Sequence, residues 1–196
     1  MNSLVNLQTL YMSANEFTGA ELTGLINLQT LSSYNGQLQS INLDGLINLH
    51  SLDLSNNQLT SIDLLELTGL SNFLDLSNNQ FTSLNVSGLS NLGTFYADNN
   101  QLTSLDGSNT LTNLQVLSFA NNDLTGIDLS NSLGIYNINL SNNQLSTIDI
   151  STLLNLQILG LYNNQLTSLD VSSHTGLLSL TVQNNYLTDL IVSDYT

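Results

Sequence analysis

No lysine, arginine, proline, cysteine or tryptophan occurs in the 196 residues of this chain. At ordinary usage, drawing no Lys or Arg in this length has odds on the order of 10⁻¹¹, so the gap reflects selection or origin rather than sampling. Charged residues are only 8% of the chain, yet 15 Asp and Glu leave a formal charge of −15. The acidity therefore comes from missing bases rather than surplus acid, unlike the acid-dense halophile type.

Each absence excludes chemistry. Without Lys or Arg the chain cannot displace counterions from a nucleic-acid backbone, so no nucleic acid is expected as a partner. An anionic membrane surface repels it. Neither a P-loop nor an arginine finger can be built. Without Cys there is no disulfide frame, thiol nucleophile or Cys–zinc site. No run of 18 apolar residues occurs, so membrane insertion is not expected. The opening Met1-Asn2-Ser3-Leu4 has neither the basic nor the apolar region of a secretion signal. A chain without Lys or Arg also offers trypsin-like proteases no cleavage site. That suits material exposed outside a cell or on its surface, which is the expected location.

What the sequence does have is a repeat. The string Leu49-x-x-Leu52-x-Leu54-x-x-Asn57-x-Leu59 recurs down almost the whole chain. Coils begin near Leu7, Leu28, Leu49, Ser71, Leu92, Leu114, Ile135, Leu156 and Leu177, mostly 21 residues apart. Residues 1–196 are thus expected to form one domain of nine coils with no evident cap. A second motif follows in each coil, as in Leu59-Thr60-Ser61-Ile62-Asp63-Leu64 and Leu166-Thr167-Ser168-Leu169-Asp170-Val171. Period-two spacing puts Leu52 and Leu54 on one face of a short strand, and Ile62 and Leu64 on another across the coil. One coil cannot bury its apolar side alone, whereas stacked coils share a continuous core. The expected fold is a mainly β solenoid with two thin parallel sheets and little or no helix. Coils about 4.8 Å apart would span roughly 40 Å.

These motifs resemble the leucine-rich-repeat family over about residues 4 to 196. The 21-residue period with its second Leu-Asp-Leu segment is most similar to the short IRREKO class, and the Leu-Thr-Ser-Leu-Asp-Val-Ser wording to bacterial surface proteins. The resemblance implies a right-handed solenoid and a binding role, without naming a ligand.

The asparagine at the ninth motif place (Asn15, Asn57, Asn79, Asn100, Asn122, Asn143, Asn164, Asn185) is expected to be structural. There the chain turns inward, and an amide can satisfy backbone groups that no strand reaches. Gly36 interrupts this ladder. Ser33 and Ala97 at inward places, and Ser71 where Leu is expected, mark thinner core. Gly107, in an apolar place, should loosen the back sheet.

Outward front positions form three columns, and a partner there would meet Tyr11, Tyr34, Tyr96, Asp53, Asp75 and Asp98, aromatics with carboxylates nearby. The partner expected is a protein or a glycan. On the back, Asp106, Asp128, Asp149 and Asp170 stand in one column with no base to relieve them. Hydroxyl hydrogen bonds and solvent are the simpler resolution, with weak Ca²⁺ binding the alternative; no other cofactor is expected. A Thr column (Thr18, Thr60, Thr82, Thr103, Thr125, Thr167, Thr188), interrupted by Gln39 and Ser146 and lying at a turn rather than on a strand, offers a lesser alternative, ice binding. Catalysis is not expected: His50 and His174 lie in different coils, and no Gly-x-Ser-x-Gly elbow occurs.

Both ends look like ordinary coils. Leu4, Leu7, Leu10, Leu187, Leu190 and Val192 are expected to lie on end faces, which could continue into a second copy head to tail and build filaments. The expected role is a non-enzymatic structural or adhesive module.

Overall fold

The computed structural model describes residues 4–192. The outer parts of both expected end faces, residues 1–3 and 193–196, lie outside that range.

The front of the solenoid is one parallel sheet of nine three-residue strands: Thr9–Tyr11, Thr30–Ser32, Ser51–Asp53, Phe73–Asp75, Thr94–Tyr96, Val116–Ser118, Asn137–Asn139, Ile158–Gly160 and Ser179–Thr181. Its strands run in sequence order, one per coil, as a stack requires. The register carries Thr9, Thr30, Ser51, Phe73, Thr94, Val116, Asn137, Ile158 and Ser179 through one column. The three front columns expected from period two are therefore real. Leu31, Leu52, Leu74, Phe95, Leu117, Ile138 and Leu159 point inward and are buried.

The back departs from expectation. Instead of a second continuous sheet it holds three separate pairs: Gly19–Glu21 with Ser40–Asn42, Ser83–Asn85 with Ser104–Asp106, and Ser168–Asp170 with Asp189–Ile191. Coils 3, 6 and 7 have no strand there among the described residues. The one helical turn described is a 3-10 turn, Ser108–Thr110.

Two coils hold an extra residue, and the structure relocates both. In coil 4 it is Leu70, not Ser71, that fills the buried place and is fully buried. The insertion falls between Leu70 and Leu74, so the core is not thinned there. In coil 5 Gly107 is itself the inserted residue, and buried Ser108 takes the apolar place. Gly107 adopts φ 76°, and a Cβ there would lie 2.7 Å from the Ser87 backbone. Only glycine fits so close an approach at that backbone angle. Pairing along the back stops at this coil, as the sequence suggested. Ser33 and Ala97 are also buried. The space beside Ala97 is closed by Phe119 of the next coil, whose ring meets Phe95 edge-on at 4.8 Å and 89°.

Candidate functional site

The buried asparagines are the frame on which the front face rests. Asn122 shows the pattern: its Nδ2 donates to the carbonyls of Phe119 (3.1 Å) and Ala120 (3.4 Å) in its own coil and of Ala97 (2.9 Å) in the preceding one. Its Oδ1 accepts the Leu102 N–H of the preceding coil at 2.9 Å. Asn57, Asn79, Asn100, Asn143, Asn164 and Asn185 make the same inter-coil bonds. Asn15 bonds only within its own coil, to Met12 and Ser13. The structural reading of this ladder is carried by these bonds.

A further asparagine signal was there to be read. The residue before each ladder position has a positive φ between 55° and 58°, and it is Asn in eight coils and Ala14 in the first. Left-handed backbone disfavours side chains with a free Cβ, and Asn tolerates it best after Gly. The Asn-Asn doublet thus joins two separate demands. On the convex side Asn27, Asn48, Asn91, Asn113 and Asn155 donate across the coil boundary to a carbonyl at 2.8–3.2 Å.

On the front face the structure brings four of the six expected partner residues together. Asp53 and Asp75 are register neighbours, Tyr96 follows Asp75, and Asp98 stands beside it. Phe73, which the sequence did not single out, packs against Tyr96 at 5.7 Å and 77°. Tyr34, in coil 2, is one coil from Asp53 and in a different column, while Tyr11, in coil 1, shares the Asp53 column two coils away and is 73% exposed.

The three carboxylates are partly occupied by the fold. Asp53 accepts the Ser55 N–H at 3.0 Å and its hydroxyl at 2.7 Å. Asp75 accepts the Ser77 N–H at 2.8 Å. Asp98 accepts the Ser118 hydroxyl and the Ala120 N–H, both at 2.6 Å. Burial pushes the Asp75 carboxyl above its usual range, the Ser77 bonds oppose that, and Asp53 and Asp98 add to it. Burial also raises the Tyr96 phenol, helped by Asp75, Tyr136 and Asp98. The cluster is an uncompensated negative focus around an aromatic pair.

Beyond Tyr96 the same face becomes neutral. A shallow groove of about 420 Å³ runs over coils 5 to 9, lined by Tyr96, Val116, Asn137, Asn139, Ile158, Gly160 and Thr181 among others. Gly160 makes its deepest notch: a Cβ there would meet Asn139 Oδ1 at 2.8 Å.

On the back, Asp149 accepts the Ser151 N–H at 3.0 Å and hydroxyl at 2.7 Å, and Asp170 does the same with Ser172 at 2.9 and 2.7 Å. Asp128 accepts the Ser130 N–H at 3.0 Å. Hydrogen bonds from these serines hold the carboxyls of Asp128, Asp149 and Asp170 below their usual range. The arrangement makes turns. No three metal-ligating side chains come together among the described residues, and Asp106 stands in the column without such a turn.

The two histidines are separate. His50 is exposed, and its Nδ1 meets its neighbour Asn48 carbonyl. His174 is buried, with Nε2 3.1 Å from the Ile150 carbonyl and Nδ1 without a partner. A carbonyl only accepts, so Nε2 carries the proton.

Fold and face together define a repeat solenoid that presents one uninterrupted β surface. The family model described as Leucine Rich Repeat matches residues 48–70, 72–92 and 134–156, so the chain carries leucine-rich repeats on the solenoid fold such proteins share. Its 21-residue spacing is consistent with the short class. Among solved structures it is similar to the functional domain of InlJ from Listeria monocytogenes, at 23% identity and TM-score 0.77 over 95% of this chain and 53% of that one. That domain includes a cysteine ladder, where this chain has no cysteine. A plant ice-binding protein is similar at 25% identity and TM-score 0.72, over 93% of this chain and 66% of that one. The TLR13–ssRNA13 complex matches at 22% identity and TM-score 0.72, over 97% of this chain and 30% of that one. The chain thus spans about half the length of the InlJ domain. A search of curated proteins found no match. No helix among the described residues is long and apolar enough to cross a membrane.

Proposed function

We propose that this chain is a non-enzymatic adhesive module, working outside the cell, that holds a protein or glycan on its front face. The observation carrying this is the cluster of Tyr96, Phe73, Asp53, Asp75 and Asp98 opening onto the neutral groove at Gly160. An aromatic anchor beside a shallow floor of amides and hydroxyls is the chemistry of a specific contact. The internalin-type neighbours of the fold support a surface location. The TLR13–RNA complex does not fit the expectation that this chain has no nucleic-acid partner. Here the exclusion rests on the missing Lys and Arg alone.

The test is binding of the intact chain to arrays of neutral glycans and of extracellular proteins. Capture of one member, lost in Tyr96→Ala and kept in the back variant Asp149→Ala, is the expected result. No capture on either array, or equal loss in both variants, overturns the reading.

A second reading is ice binding. It is favoured by the plant ice-binding neighbour and by the Thr column, whose members are all exposed. Thermal hysteresis of the chain tests it. Head-to-tail assembly has no observation of its own. The exposure of Leu4, Leu190 and Val192 is what any stack shows at its last described coil.

A further inference from the structure

A third ladder joins the coils along the edge between front and back. The Gln58 N–H donates to the Leu38 carbonyl at 2.8 Å, Gln80 to Leu59 at 2.8 Å, Gln101 to Phe81 at 2.9 Å and Gln144 to Leu124 at 2.9 Å. One such bond per coil pins this edge in register, so its side chains repeat at the coil spacing of about 4.8 Å.

Residues alternate there between buried and exposed. The exposed places form an Asn column at the left-handed positions, a Gln column (Gln37, Gln58, Gln80, Gln101, Gln144, Gln165) and the Thr column. The Asn and Thr places both lie on bends, as at Asn56, Thr60, Asn78 and Thr82, with the Gln place between them. The Asn column is explained by its positive φ. The other two are not: these side chains are exposed and fill no core. Their bonds join adjacent coils: Gln39, in the Thr place of coil 2, donates Nε2 to Gln58 Oε1 at 3.3 Å, Gln144 Nε2 donates to Asp123 Oδ1 at 2.8 Å, and Thr188 Oγ1 donates to the Thr167 carbonyl at 3.3 Å.

Charge is kept off this edge. Across coils 2 to 8 its three columns contain one acid, Asp123, while the middle back column alone has Asp63, Asp106, Asp128, Asp149 and Asp170. Apart from Gln39 and Ser146 in the Thr places and Asp123 in the Gln places, the array repeats the same neutral groups at one spacing, so it does not distinguish registers on an aperiodic ligand. Its complement is a surface that also repeats.

We infer that the Gln–Thr edge is the ice-facing surface, binding a water lattice through ranked amides, hydroxyls and Thr methyl groups. The inference rests on the ice-binding reading and gives it a place on the molecule, away from the front groove. The experiment measures thermal hysteresis and inhibition of ice recrystallisation for the intact chain, for Thr82→Tyr combined with Thr125→Tyr, and for Tyr96→Ala. Both tyrosines enter exposed positions, and circular dichroism melts check that the variant folds. Should it fail to fold, Thr82→Val with Thr125→Val keeps the shape and removes the hydroxyls. Hysteresis in the parent chain, mostly lost in the edge variant and kept in Tyr96→Ala, is the expected result. Hysteresis that survives the edge changes overturns the placement and leaves ice binding standing. No hysteresis in the parent chain overturns both.

Discussion

Front and back of each coil are built on the same triplet, a central apolar residue between two flanking ones that are mostly polar. Yet the front closes into nine continuous strands while the back breaks into three pairs. Strand propensity does not explain the difference. The unpaired back segments of coils 3, 6 and 7 centre on β-branched Ile62, Ile127 and Ile148, and most of the paired ones centre on Leu. What differs is the destination of the side-chain hydrogen bonds. Just past the front strand, each ladder Asn from Asn57 onward donates to and accepts from the coil before it, as Asn122 does. At the end of the back segment, Asp149 and Asp170 accept from a serine two residues on, within their own coil. Bonds that cross coils fix the spacing of the ladder; bonds within a coil shape a turn and leave the neighbour free. Regularity along the stack therefore belongs to the sides that are cross-linked, among them the front and the Gln–Thr edge.

The largest test removes the cross-link. Asn122→Ala strands an N–H and several carbonyls in a buried place, at about 4 kcal/mol, since each unmade buried bond costs about 1 kcal/mol or more. Asp149→Ala, on an exposed turn, should lower the melting temperature only slightly. Urea unfolding of both reads the contrast, and equal losses would break it.

Next in size is the core beneath each side. Ile138 is fully buried under the front sheet, and Ile148 is half-buried behind an unpaired segment. Truncating each to Ala should cost about 3 kcal/mol at the front and about 1–2 kcal/mol at the back, because the cost follows the apolar area each side chain buries and the cavity its removal leaves. A destabilisation by Ile148→Ala as large as that by Ile138→Ala would show the back to be as tightly packed as the front.

The front was far more legible in the sequence than the back, for the same reason. A motif repeated at fixed spacing announces which residues share a column, so Thr9 through Ser179 and the inward leucines could be read without coordinates. Inserted residues escape that logic, because spacing alone does not say which residue is extra. Leu70 and Ser71 compete for one place, and burial of Leu70 decides it. Gly107 and Ser108 compete likewise, and the 76° backbone angle of Gly107 decides that. Asp53, Asp75 and Tyr96 came together because they follow one another in a single column, with Asp98 two residues past Tyr96. Between Tyr11 and Asp53 that same column is held by Ser32, and a column extends over the whole stack, so membership in it says nothing about distance along it. Phe73 was visible as a column member, but its contact with Tyr96 depends on ring orientation, which no spacing encodes.

The smallest effect separates the carboxylates of the two sides by sign. Asp75 at the front has its pKa raised above 3.8, chiefly by burial, so the folded state binds that proton more tightly than the unfolded one. Its charge lowers stability at neutral pH, and the penalty fades as pH falls through the raised pKa. Asp128, Asp149 and Asp170 have pKa values lowered by their serines. They contribute stability above the unfolded pKa that is lost as pH falls through the lowered folded value. Asp75→Asn should therefore raise the melting temperature at pH 7, with the gain shrinking as Asp75 itself becomes protonated toward pH 3. Asp170→Asn should change little at pH 7, because Asn85 already builds the same turn, its Oδ1 accepting the Ser87 N–H at 3.1 Å and hydroxyl at 2.8 Å. Melting curves of both variants from pH 7 to pH 3 decide the matter. A loss of stability in Asp75→Asn at pH 7 would mean that its bond to Ser77 outweighs its burial, and that the front acids, like those behind, are there to hold a turn.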